Sequence, residues 1–326
     1  MRRVCVIDCR DRRQEFFRNK YKRGTENLVA RIHFETEEEK KEYVHACDAD
    51  FESRLDTVVK QICDLEGLRY LTLSGPTCSG KTTASEKLIS EFAERGRKVK
   101  IISLDDFFRD RKELIAEAKD GKLDFDSDKA LDLPELAAFM KKLQAGREVD
   151  VPRFDFNEGR RVGYERLIRD DAEIIIFEGI QAIYPCFTSL IDDKKHTAKV
   201  YITPLGCLHF GDRIISRREV RLWRRLVRDN RYRSAEPEFT FMLWETVIEN
   251  EDKNILPYEE DSDFIIDSML GYEPGMLKPA LTQILSQINS ASVYYDKSRS
   301  ILATLEGVEE IDESYLPEIS LYHEFI

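Results

Sequence analysis

The sequence predicts an α/β fold, a parallel sheet sandwiched by helices with a small N-terminal α+β extension, and three observations carry that prediction. Short, branched, apolar runs recur along the chain, helical segments separate them, and one strand-to-helix junction bears a glycine-rich loop. The runs are "RYLTLS" (69–74), "KVKIISL" (98–104), "AEIIIFEG" (172–179), "AKVYITP" (198–204) and "DFIIDS" (263–268). Runs this apolar read as strands buried on both faces of a parallel sheet. Their alternation with helices implies right-handed crossovers, with ligands gathered at the carboxyl ends of the strands.

Residues 1–66 precede the loop and read as a separate small element. "RRVCVIDC" (2–9) and "NLVARIHF" (27–34) are strand-like, and the basic, aromatic run "RDRRQEFFRNKYKRG" (10–24) reads as a solvated face or, alternatively, an RNA contact. From Thr36 to Leu65, Val44, Cys47, Phe51, Leu55, Val58 and Ile62 follow helical spacing. The stretch 81–96 reads as a helix ending at Gly96. The stretch 131–146 reads as a second helical segment, with Pro134 in the first turn and Gly146 past the helix end. Leu277, Leu281, Ile284, Leu285 and Ile288 mark an amphipathic helix that packs on the core or in a dimer, so a homo-oligomer is compatible with the pattern.

The loop is Gly75-Pro76-Thr77-Cys78-Ser79-Gly80-Lys81-Thr82, followed by Thr83, in the spacing G-x-x-x-x-G-K-[ST] of a P-loop. Its glycines let the backbone N–H groups of Gly75, Thr77, Cys78, Ser79, Gly80 and Thr83 converge on nucleotide phosphates. Lys81 neutralises their charge, and the Thr82 hydroxyl is a ligand for Mg²⁺. The helix that follows presents its positive dipole end to the same anion.

Two strand ends add carboxylates. The run 98–104 leads into "SLDDFFRD", which puts Asp105 and Asp106 where a terminal phosphate should lie; the expected role is to orient an acceptor hydroxyl and take its proton. Glu178 ends another strand, an acid placed to hold Mg²⁺. Asp124, Asp126, Asp128 and Asp132 lack the glycine and terminal glutamate that an EF-hand loop needs, which excludes that reading. Residues 211–233 carry nine arginines and no lysine, with Arg217, Arg221, Arg224 and Arg228 on one helical face. The fork of arginine suits phosphate oxygens, so this stretch reads as a lid over the phosphates.

Composition narrows the partners. There are 51 Lys+Arg against 63 Asp+Glu, a net charge of −12, which argues against a dedicated nucleic-acid or anionic-membrane binder. Seven cysteines without a C-x-x-C pair fit a reducing cytosol. No apolar run approaches the ~20 residues of a membrane span, and the N-terminal apolar stretch is too short for a signal peptide. The expectation is a cytoplasmic protein acting on a small molecule. No Asn-Lys-x-Asp run is present to read guanine, so the phosphate is expected to pass to a hydroxyl rather than to water.

Taken together, "GPTCSGKTT", "SLDDFF", "FDSDKALD", "VPRFDF…R", "IIIFEGI", "RRLVRD" and "NILPYEEDSDFIID" resemble the uridine kinase/phosphoribulokinase family of P-loop kinases over roughly residues 68–270. The resemblance implies an ATP-dependent, Mg²⁺-requiring phosphotransferase. It assigns residues 67–326 to a kinase domain, with a lid at about 211–235 and a C-terminal helix and tail at 275–326. It makes Asp105 the catalytic base and puts Glu178 near Mg²⁺. Asp126 would bind ribose hydroxyls, while Phe154 and Arg161 lie beside the acceptor. Arg225, Arg228 and Arg233 fall on lid arginines that contact phosphates or substrate. The closest likeness is to bacterial uridine kinase-like proteins, which share an ending like "ISLYHEFI". Two positions depart from the pattern: Gly159 stands where a base-reading histidine is expected, and Phe154 replaces a tyrosine. The readings that follow are a nucleoside kinase, a kinase of another alcohol (sugar, polyol or vitamin), and a nucleotide-sensing or RNA-associated regulator.

Overall fold

The structure is a computed structural model that describes residues 28–117, 124–168 and 174–326. The strand-like run 2–9, the basic run 10–24 and the first two residues of the run 172–179 lie outside the described residues.

A five-stranded parallel sheet organises the molecule. Its strands are β2 (Tyr70–Ser74), β3 (Val99–Ser103), β6 (Ile174–Glu178), β7 (Thr197–Thr203) and β10 (Phe264–Asp267), in the order β10-β7-β2-β6-β3. The loop-bearing strand β2 is therefore central. Register fixes what meets at the carboxyl edge: Leu73 and Ser103 both pair with Glu178, one from each side. Strand β3 corrects one expectation. It is an edge strand, so Ile101 is 38% exposed instead of buried on both faces.

Side chains alternate between the two faces of the sheet, as a pleated strand requires. Leu71, Leu73, Ile174, Ile176, Val200 and Ile202 join one core with helices α1 (Glu37–Cys63), α2 (Lys81–Glu94) and the later helices. Tyr70, Ile102, Ile175 and Phe177 face the other core, where Leu136, Phe139, Met140 and Leu143 of the helix Leu133–Gln144 pack. That helix begins at the Asp132 cap with Pro134 in its first turn, and Gly146 follows at φ +69°, in agreement with the punctuation of the sequence.

The helix ahead of the loop packs on the same core as the loop-bearing strand. Thr36 caps α1, whose residues Val44, Phe51, Leu55, Val58 and Ile62 are all buried in the same core as β2 and α2. Ahead of α1, β1 (Leu28–Val29) pairs in parallel with β8 (Cys207–Phe210), which forms a hairpin with β9 (Arg213–Ser216). Another hairpin joins β4 (Val149–Asp155) to β5 (Arg160–Leu167). Sequence reasoning missed this hairpin, although the alternation in "VDVPRFD" and the turn residues Asn157-Glu158-Gly159 could have signalled it.

Arg217–Arg233 is a 17-residue helix capped by a reciprocal Ser216–Glu219 box, and it is packed into the core through Val220, Leu222, Trp223, Leu226 and Val227. Leu277, Leu281, Ile284, Leu285 and Ile288 pack on that core as well.

Candidate active site

Strand β2 ends at Ser74, and residues 75–80 curl the chain into the start of α2. Gly75 has no room for a side chain: a Cβ would lie 2.3 Å from the Ile202 carbonyl oxygen and 2.5 Å from Ser79 Oγ. Gly80 caps α2 at φ +97°, and a Cβ there would meet Leu321 Cδ1 at 2.4 Å. The first intrahelical bond runs from the Ala84 N–H to the Gly80 carbonyl at 3.2 Å, so the earlier N–H groups of this turn have no carbonyl partner within the helix. Ser79 Oγ is buried with no hydrogen-bond partner. Lys81 Nζ folds back on the carbonyl oxygens of Gly75 and Pro76, at 3.0 and 3.4 Å. Unpaired donors, a dipole end and a cation around a backbone too tight for side chains fit nucleotide phosphates.

One of those donors is already engaged. Thr83 donates from its N–H (2.7 Å) and its hydroxyl (2.6 Å) to Glu324 Oε1. Sequence reasoning missed Glu324, and a contact across 241 residues leaves no local signal.

Beyond β3, a short 3-10 turn (Leu104–Phe107) carries Asp105, whose N–H is held by Ser103 Oγ at 3.3 Å. Burial pushes the Asp105 carboxyl up to about 7; the charge of Glu178 adds to the shift and Lys81 opposes it. Glu178 is also raised, by burial first, with Lys81 opposing and Glu324 adding. Asp106 serves the scaffold: its Oδ1 accepts the Phe154 N–H at 3.0 Å and ties the β4–β5 hairpin to the end of β3. Asp126 lies in a turn whose N–H groups, at 126 and 127, both donate to Asp124 Oδ1 at 3.1 Å. Its carboxyl is raised by burial and pulled back by Arg225, Lys81 and Arg221. Three residues that sequence reasoning missed fix this turn. Gln181 donates to the Phe125 carbonyl (2.7 Å), while Tyr184 (2.8 Å) and Asn250 (3.1 Å) donate to the Asp126 carbonyl.

The described residues hold no cluster of three or more His, Cys, Asp or Glu side chains that would cage a metal. Thr82 and Glu178 beside the loop suit Mg²⁺, which takes one or two protein ligands and completes its shell with phosphates and water.

The sequence profile of the Phosphoribulokinase / Uridine kinase family matches residues 71–271, more than half of the chain. The chain belongs to this family. A uridine kinase from Schizosaccharomyces pombe is 37% identical over 121 residues, covering 36% of this chain and 25% of that protein. Inorganic pyrophosphatase TTM2 from Arabidopsis thaliana is 28% identical over 254 residues, 77% of this chain and 33% of that one. A uridine kinase from Deinococcus deserti is 25% identical over 67% of this chain and 94% of its own length. The chain thus spans only a quarter to a third of the first two relatives.

Within the family pattern, the arginines divide into two groups. Arg225, Arg228 and Arg233 converge on Asp229, with contacts of 3.1, 2.8 and 3.3 Å. Burial pushes the Asp229 carboxyl up, but the charges of Arg228 and Arg225 prevail and hold it below the usual range. Arg221 and Arg224 point instead to the back of the P-loop and are fully buried. Arg161 binds Asp132 (3.4 Å) and Tyr164 (3.2 Å) and also pairs with Glu135. Phe154 belongs to an edge-to-face aromatic group, 5.8 Å from Phe108 and 5.3 Å from Phe156. Gly159 turns the hairpin at φ +64°, and Arg111 fills the space beside it: a Cβ would lie 2.8 Å from Arg111 Cβ and Nε. A histidine has no room there.

Proposed function

We propose that this chain is an ATP-dependent kinase that moves a phosphoryl group to a hydroxyl of a small molecule, with a nucleoside of the uridine/cytidine kind as acceptor. Support comes from one observation above all: the P-loop, Asp105 and Glu178 meet at one edge of the sheet, in register across β2, β6 and β3. The loop N–H groups and Lys81 would hold the phosphates, and Thr82 with Glu178 would hold Mg²⁺. Bound ATP with Mg²⁺ supplies a charge-shielded phosphorus and an ADP leaving group.

The chain's own part is to bind, orient and manage a proton. Asp126 would hold the acceptor through its hydroxyls. As the acceptor oxygen bonds to phosphorus and the bond to ADP breaks, the proton passes from the hydroxyl to an Asp105 oxygen. A carboxyl at about 7 is matched to that task at neutral pH. Arg225, Arg228 and Arg233 are held on one buried acid, Asp229, and would stabilise the charge that develops on the phosphate. A cytoplasmic place of action goes with this reading and rests on five free cysteines among the described residues. No helix of the described residues is long and apolar enough to cross a membrane.

The Gly159–Arg111 contact favours a second acceptor class. With no side chain at 159 to read a base, and a phenylalanine at 154, an alcohol such as a sugar, polyol or vitamin fits the same chemistry. ADP release with Mg²⁺-ATP across nucleosides and such alcohols decides between them, with Asp105→Asn as control. Uridine- or cytidine-dependent turnover supports the first reading, and turnover with another alcohol only supports the second. Acceptor-independent phosphate release, from ATP or from pyrophosphate, would refute both.

A further inference from the structure

The helix Arg217–Arg233 buries two arginines completely, and their partners define what they do. Arg224 forks onto Glu273 (Nε to Oε2, 2.8 Å; Nη2 to Oε1, 2.6 Å) and reaches the Ser268 carbonyl at 2.6 Å. Its remaining nitrogen, Nη1, donates to the Cys78 carbonyl at 3.1 Å. Arg221 pairs with the buried Glu251 and sends Nη1 to the Thr77 carbonyl at 3.4 Å. Burying such pairs costs several kcal/mol per ion, and apolar residues of similar volume fill such space at least as stably. Packing alone therefore does not account for these arginines. An apolar side chain has no donor for the carbonyls of residues 77 and 78.

Those two carbonyls matter because a peptide unit is planar and trans, so its C=O and the following N–H point in opposite directions. Holding the Thr77 carbonyl from behind turns the Cys78 N–H to the opposite side. Holding the Cys78 carbonyl does the same for the Ser79 N–H. Cys78 adopts φ 57° without being glycine, a conformation that persists only where the surroundings over-determine it. The adjacent Ser79 Oγ has no partner.

We propose that Arg224, with Arg221 beside it, is a positioning residue for the phosphoryl donor. Through the carbonyls of Cys78 and Thr77 it sets the loop in its anion-binding form before nucleotide arrives. The inference rests on the nucleotide-binding reading of the loop. It gives Arg224 no contact with substrate, which separates it from Arg225, Arg228 and Arg233.

The test is Arg224→Met combined with Glu273→Leu, which removes both buried charges and fills their space. Well below its melting midpoint, the folded double variant should bind Mg²⁺-ADP about tenfold or more weakly by calorimetry. In turnover, KM for the donor should rise while KM for the acceptor stays. If the double variant does not fold, Arg224→Lys decides. It keeps a charge opposite Glu273 but lacks the fork that also reaches Cys78, and well below its own melting midpoint it should show the same weakening. Wild-type affinity in either folded variant overturns the proposal and leaves nucleotide binding intact. Absence of ADP binding in the wild type overturns both.

Discussion

Asp105 shows how far a single side chain is set by its surroundings. Its ordinary carboxylate value is lifted to about 7, by burial first and by the nearby Glu178 charge second. The folded chain therefore keeps a proton there that the unfolded chain has already released, and stability falls as pH rises from the unfolded value toward about 7. Asp105→Asn removes that penalty. In the ligand-free protein it should raise the melting midpoint most above about pH 7, with the gain shrinking as pH falls toward the unfolded carboxylate value. The same variant should lose about 10²–10⁴-fold in kcat. A variant that melts like wild type above neutral pH would remove the strained-base account, and near-normal turnover would remove the base itself. Lys81→Ala should weaken both ADP binding and turnover, and unchanged activity would take the loop out of the reaction. Both residues were legible in the sequence because each belongs to a run of a few neighbours, "GKTT" and "SLDDFF", whose local geometry sets its place. Glu324, Gln181, Tyr184 and Asn250 were not, because each reaches the site by tertiary contact alone.

Among the elements, α2 is where local rules and tertiary contacts compete. Its N-terminus suits phosphate, yet the Thr83 N–H and hydroxyl are held by Glu324, whose segment also covers Gly80 with Leu321. A phosphate that uses the Thr83 N–H has to displace this carboxylate. Glu324→Gln should therefore tighten Mg²⁺-ADP binding by about 2–10-fold, the scale of one charge at a helix terminus. Calorimetry on the two proteins measures this, and equal affinities would mean that nucleotide leaves the Thr83–Glu324 contact in place. Helix boundaries were legible where punctuation is local: Thr36 at the start of one apolar stripe, and Pro134 and Gly146 at the ends of another helix. The setting of the arginine helix was not. Arginines spaced along one face look the same whether they meet water, phosphate or buried acids. The acids that settle the matter, Glu251 and Glu273, lie 30 and 49 residues downstream of Arg221 and Arg224.

For the whole molecule, the central sheet and its strand runs were readable from apolar patterning, whereas the destination of the helix before the loop was not. The buried face of α1 is an ordinary helical stripe whose destination no local pattern reveals. Phe51, Leu55, Val58 and Ile62 enter the core that also holds Leu71 and Leu73 of β2 and Leu88 of α2. Leu321, Tyr322 and Phe325, beside the loop, complete that same core. A cavity at Phe51 therefore weakens the support of the P-loop helix as well as α1. Phe51→Ala should cost about 3–5 kcal/mol, the range for a fully buried aromatic. Because the core is shared, the loss should shift one cooperative transition in denaturant, with helix content and ADP binding lost at the same midpoint. Two separated transitions, with ADP still bound after the first, would make α1 an independent unit and support a boundary at residue 66.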